Sequence, residues 1–150
     1  MMNKSYWIFG GKLEILADER ETGSTYDLIS GTLEPGIEVP LHQHHNYTES
    51  IYMVEGELTI YLKGETKVLH AGHHLFIPRS TPHAIKNNGP KSAKAITVAS
   101  PGSFARLIKT VGIPGNDDGT APEGETDLDA FIRISAEMGD EMLGPPGARP

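Results

Sequence analysis

His42, His44, Glu49 and His83 are four side chains whose types and spacing could bring them together around one ion. Three imidazoles and one carboxylate make a mixed nitrogen and oxygen donor set suited to a divalent first-row transition metal. Donor type does not choose among Fe, Mn, Ni, Co, Cu and Zn, so the expected cofactor is one such ion of unspecified identity. Four protein ligands leave one or two positions of a five- or six-coordinate ion open, which separates a catalytic metal site from a structural one.

The elements that must carry these residues are short strands. The first block reads Gly36-x5-His42-x-His44-x4-Glu49-x6-Gly56, and the second reads Gly72-x5-Pro78-x4-His83-x3-Asn87. Strand side chains alternate faces, so His42 and His44 point to one side and Gln43 to the other. Tyr47, Glu49, Ile51 and Met53 share a face of the next strand, which sets Glu49 among apolar neighbours. A carboxylate there is costly unless it is paired or coordinated, and ligation removes the cost. Pro40 holds the approach extended, and Gly36 and Gly56 sit where tight turns are needed. By itself the run His42-Gln43-His44-His45 would suit a solvated His-rich loop equally well. The fixed position of Glu49 and the distant pair His83 and Asn87 favour the metal site.

Over residues 6–99 short alternating segments are broken by turn residues. Strands are expected at 12–17, 25–33, 49–55, 57–62, 66–70, 74–77, 83–87 and 93–99, with 49–55 and 57–62 read as a hairpin across Glu55-Gly56. Segments this short and regular indicate a sandwich or barrel. After Pro101-Gly102 the period becomes helical. Ser103 can cap a helix carrying Phe104, Leu107, Ile108 and Val111, with Gly112 as its stop. A second helix is expected from Thr126, with Asp129 as capping partner, through Leu128, Phe131, Ile132 and Met138 to Gly139. The predicted organisation is a barrel at 5–100, a helical extension of the same domain at 101–143, and a loose Gly/Pro-rich tail at 144–150.

Composition narrows the function classes. The 150 residues contain no cysteine, which excludes disulfides, iron–sulfur clusters and thiol nucleophiles. A formal net charge of −7 argues against a nucleic-acid partner. The longest apolar runs, such as 75–78, are too short to span a bilayer. Residues 1–7 lack the apolar core and small-residue cleavage site of a signal peptide, so a cytoplasmic protein is expected.

With these motifs in view, the sequence closely resembles the cupin superfamily, specifically its single-domain bacterial, quercetin-dioxygenase-like members. The first superfamily motif is met at every position from Gly36 to Gly56. The second is met at Gly72, Pro78, His83 and Asn87, with Ser80 in place of a turn glycine and His73 where many members carry Asp. The resemblance implies an all-β fold, an antiparallel jelly-roll (double-stranded β-helix) barrel holding the metal inside one end, with the C-terminal helices packed outside. It also implies a homodimer, for which Trp7 on an edge strand is the candidate contact.

The functional expectation is a metal-dependent dioxygenase or related oxidoreductase acting on a small enol- or flavonol-type molecule. Glu49 is the candidate catalytic base, and Tyr47, Met53, Phe76 and Ile85 are candidate substrate contacts. The rivals are a metal-assisted isomerase, decarboxylase or lyase, and a non-catalytic small-molecule-binding cupin. His45 faces opposite to His44 and is expected outside the ligand set; His70, His73 and His74 are expected to be exposed or packing residues.

Overall fold

A computed structural model describes residues 4–150 of the chain. The leader reading therefore rests partly on residues 1–3, outside the described part. Twelve strands form two antiparallel sheets among the described residues. The seven-stranded sheet contains β1 (Ser5–Ile8), β2 (Gly11–Ala17), β3 (Asp27–Leu33), β5 (Thr48–Glu55), β8 (His74–Ile77), β10 (Ala93–Ser100) and β11 (Ile113–Pro114), in the order β11-β1-β2-β3-β10-β5-β8. The five-stranded sheet contains β4 (Glu38–His44), β6 (Glu57–Leu62), β7 (Glu65–His70), β9 (His83–Lys86) and β12 (Asp140–Met142), in the order β12-β4-β9-β6-β7. This is the jelly-roll barrel that the motifs implied.

Strand alternation builds the interior. On β5, Glu49, Ile51 and Met53 are buried, whereas Tyr52 and Val54 on the opposite face are exposed. Ile51 and Met53 pack with Leu58, Ile60, Leu75, Ile77 and Ile85 from both sheets in one apolar core. None of the helices among the described residues is long and apolar enough to cross a membrane.

The reading of the Glu55-Gly56 turn changes in three dimensions. The hairpin expected across Glu55-Gly56 is instead a corner, because β5 and β6 lie in different sheets. Gly56 has φ +74°, and a Cβ there would stand 2.6 Å from the carbonyl oxygen of Ser92, so the corner needs glycine for both torsion and space. The hairpin partner of β6 is β7, joined through Lys63-Gly64 with Leu62 opposite Glu65, and β9 flanks its other edge. A Gly-containing turn looks the same in sequence whether the chain doubles back or changes sheet.

The helices also take their caps from elsewhere. In α2 (Phe104–Val111) Ser103 makes no side-chain cap, and Asp27 of β3 accepts from the Ala105 N–H at 2.8 Å instead. The N-cap of α3 (Leu128–Glu137) is Asp127, which accepts from Ala130 N–H at 3.0 Å. Thr126, the expected start, accepts from the Phe9 backbone N–H. A short helix, α1 (Glu19–Thr22), was not anticipated.

The end of the chain is more ordered than its composition suggests. The second helix ends before Gly139, its expected stop, and the rest of the 101–143 extension continues as β12, which pairs with β4. Within 144–150, expected to be loose, Arg149 stacks on Tyr61 at 3.8 Å and pairs with Glu38 at 2.8 Å. Gly139 has φ +86°, and a Cβ would collide with the Asn46 amide, which donates to Met138 O. Gly139→Ala should therefore cost about 1–2 kcal/mol in torsion alone and lower the melting temperature by roughly 2–8 °C, read by thermal unfolding. An unchanged melting temperature would show that this turn does not constrain the fold.

Candidate metal centre

His42 and His44 lie on β4, His83 opens β9 and Glu49 comes from β5 of the facing sheet. The β4–β9 ladder sets His42 directly opposite His83 after an irregularity between Val39 and His42. That break falls at Pro40, which has no N–H to give to a ladder. The ring centroids of the three histidines form a triangle of 4.2, 4.8 and 5.0 Å. One nitrogen from each lies within 4.8 Å of the others, an arrangement that could hold a metal ion. Glu49 Oε2 is 3.3 Å from His44 Nε2 and 3.4 Å from His83 Nε2.

Hydrogen bonding decides which nitrogens are free. His42 Nδ1 is 2.7 Å from Pro40 O, and His83 Nδ1 is 2.8 Å from Thr81 O. A carbonyl only accepts, so both Nδ1 atoms carry the proton and both Nε2 atoms keep a free lone pair. Metal-binding histidines are held in this way, with the second nitrogen donating to a fixed acceptor. His83 Nε2 and Glu49 Oε2 are buried and neither makes a satisfactory hydrogen bond. Orphaned buried polar atoms need a partner, and a bound cation would satisfy both. The residues present fit a divalent ion.

Electrostatics agree with that fit. Burial pushes the His42 imidazole well below its usual range, assisted by neighbouring His83 and His44. Burial likewise takes His44 down to about 4, against the opposing pull of Glu49. For Glu49 burial acts upward, but the imidazoles of His44, His83 and His42 outweigh it and hold the carboxyl at about 2. At neutral pH His42 and His44 are thus neutral and Glu49 is ionised, as metal ligation requires.

A cavity of about 120 Å³ opens from His42, His44 and Glu49 between the two sheets, with His83 buried behind them. Its walls include Leu33, Val39, Ile51, Leu58, Ile85 and Phe131. Of the candidate substrate contacts, Tyr47 and Ile85 line it. Met53 is fully buried in the core and outside that lining. Phe76 is on the outer face of β8, 51% exposed, and points away from the cavity. The period-2 alternation that puts Leu75 and Ile77 inside puts Phe76 outside. His45 faces away from the cluster, within hydrogen-bonding distance of Ser80 Oγ (2.7 Å) and Glu141 (3.1 Å).

Sequence reasoning missed Asp140, Phe104 and Phe131. Phe104 of α2 stacks on Tyr47 at 5.7 Å, and Tyr47 stacks on His44 at 4.4 Å, so a helix steadies a ring beside the cluster. Asp140 of β12 is buried and accepts a hydrogen bond from the Tyr47 hydroxyl at 3.2 Å. Burial raises the Asp140 carboxyl to about 7, and Tyr47 pulls the other way. The helical period of Phe104 and Phe131 was legible, but not that these faces reach a cavity.

Comparison with known proteins is consistent with this geometry. A family model described as Cupin domain matches residues 30–99. Quercetin 2,3-dioxygenase of Bacillus subtilis is 28% identical over 109 residues, 72% of this chain and 32% of that enzyme. The chain thus spans about a third of that relative's length. Polyketide synthase CurC of Streptomyces cyaneus is 30% identical over 131 residues, covering 87% of this chain and 81% of that protein. Among solved structures, the polyketide cyclase RemF from Streptomyces resistomycificus superposes with TM-score 0.55 at 25% identity, over 60% of this chain and 64% of that one.

Proposed function

The chain belongs to the cupin superfamily, and from that premise we propose that it is a metal-dependent enzyme acting on a small enol- or phenol-type carbonyl compound, with dioxygenation as its reaction. The observation that carries this reading is the convergence of three histidines and Glu49 at an apolar cavity, with Nε2 of His42 and of His83 left free to ligate. His42, His44, His83 and Glu49 are the proposed ligands. Bound there, a divalent transition ion would supply Lewis acidity and, where redox-active, a centre at which O2 and substrate react.

The protein's own groups do the rest. Glu49, ionised and within the cluster, can take the proton of a substrate hydroxyl as general base. Val39, Leu58 and Ile85 keep water from the bound molecule. Quercetin and polyketides, after which the two relatives are named, both have acidic hydroxyls near carbonyls. That shared chemistry suits an ion flanked by a carboxylate and apolar walls.

The test is metal analysis of protein purified without added metal, followed by O2-electrode assays over a panel of flavonols and β-dicarbonyl enols. About one equivalent of Fe, Mn, Ni, Co or Cu per chain, with O2 consumed alongside substrate, is the expected result. Metal-loaded protein that consumes no O2 with any panel member would overturn dioxygenation. A second reading, non-oxidative proton transfer such as cyclisation or decarboxylation, is supported by the likeness to the polyketide cyclase RemF. It predicts loss of substrate with no O2 uptake.

A further inference from the structure

The cavity lining includes a buried carboxyl that the metal cluster does not use, Asp140. Asp140 lies opposite His44 in the β12–β4 ladder, and Met142 lies opposite His42. Alternation turns Asp140 and Met142 to one face and Glu141 to the other. On that other face Gln43 Nε2 donates to Glu141 at 2.7 Å, and His45 Nε2 lies 3.1 Å from the same oxygen. Beyond the strand, Leu143 N–H donates to Leu41 O at 2.8 Å. The strand is therefore docked by its ladder, by Glu141 and by Leu143, so Asp140 is not needed to hold it.

Asp140 is 7% exposed and lines the cavity with Glu49 and Tyr47. Its Oδ2 accepts from the Tyr47 hydroxyl, whose ring is held between His44 and Phe104. Its Oδ1 is buried without a hydrogen-bond partner. A buried carboxyl oxygen left unsatisfied is a costly feature that calls for an explanation. A ligand group entering the cavity supplies one.

We propose that Asp140 is a substrate-contacting residue, its Oδ1 forming a hydrogen bond with a second hydroxyl of a ligand whose first oxygen meets the metal. The class of ligand this selects is a ring bearing two neighbouring oxygen functions, such as a catechol or a hydroxylated ring ketone. Apolar walls take the ring, the metal takes one oxygen and Asp140 takes the other. The proposal rests on the metal-centred reading given above.

Cobalt-loaded protein separates the possibilities, because Co(II) visible bands report the ligand set and 4-nitrocatechol binding is read by absorbance. Asp140→Ala should keep the cobalt and its bands but bind 4-nitrocatechol at least about tenfold more weakly, the loss expected of one charge-assisted hydrogen bond. Asp140→Asn, which keeps an oxygen in place, should recover most of that affinity. Binding of 4-nitrophenol, with one hydroxyl, should be nearly unchanged in both variants. If Asp140→Ala does not fold, the near-isosteric Asp140→Leu serves the same purpose.

Equal 4-nitrocatechol affinity in the wild type and the alanine or leucine variant would overturn the proposal alone. Loss of cobalt from a folded variant would also overturn it, making Asp140 a ligand or a support of the metal. Wild type that takes up cobalt but binds no 4-nitrocatechol would overturn this proposal together with the phenolic reading of the substrate.

Discussion

His83→Ala should yield protein with almost no bound metal. His83 is fully buried, its Nδ1 is committed to Thr81 O, and its Nε2 has no hydrogen-bond partner. Loss of a group that merely orients a ligand weakens metal affinity about 10–100-fold, so loss of a ligand itself should exceed that range. Elemental analysis should show metal in the wild type and nearly none in the variant. A second readout is thermal unfolding with and without added metal, because an ion that binds only the folded state raises stability by mass action. The wild type should gain in melting temperature on metal addition and His83→Ala should not. His42→Ala should behave alike, whereas Phe76→Ala, on the outer face of β8, should leave the metal in place. Wild-type metal content in His83→Ala would remove the cluster from the mechanism.

The four proposed ligands were legible because strand periodicity and glycine-framed spacing act locally. His42 and His44 share a face by alternation, and Glu49 shares one with Ile51 and Met53. Alternation also contained the answer for Phe76: its neighbours Leu75 and Ile77 are both buried, so it had to face out.

Other features were hidden because they depend on contacts between distant segments. Gly56 signals a turn, but whether β6 pairs with β5 or crosses to the other sheet depends on β9 and β7, which complete the second sheet. The helix caps show the same limit: Asp27 caps α2 from 78 residues away, a service that nothing near Ser103 announces. Most consequential is β12. Three residues, Asp140–Met142, have no periodicity of their own, and they become a strand only because β4 offers a free edge. A carboxylate carried by so short an element could not be assigned to the cavity from sequence, although its partner Tyr47 could.

Glu49→Gln should keep the fold and lose turnover. The amide matches the carboxylate in shape but cannot accept a substrate proton, and general-base catalysis contributes about 10²–10⁴-fold. A fall of that size in the rate on whichever panel compound the wild type consumes, at matched metal occupancy, is the expected result. The metal-free protein offers an independent check through acid stability. The folded Glu49 pKa, about 2, lies below its ordinary 4.5. Its stabilising contribution is therefore present above pH 4.5 and is lost as the pH falls from 4.5 toward 2. The depression is equivalent to about 3 kcal/mol. Metal-free wild type should lose stability as the pH falls through that window, read by urea unfolding at each pH. Stability that does not fall between pH 4.5 and 2 would mean that the histidines do not hold the Glu49 carboxylate ionised. Undiminished turnover would instead move proton transfer to another group, and Asp140, a buried carboxyl lining the cavity beside Tyr47, would be the next to replace.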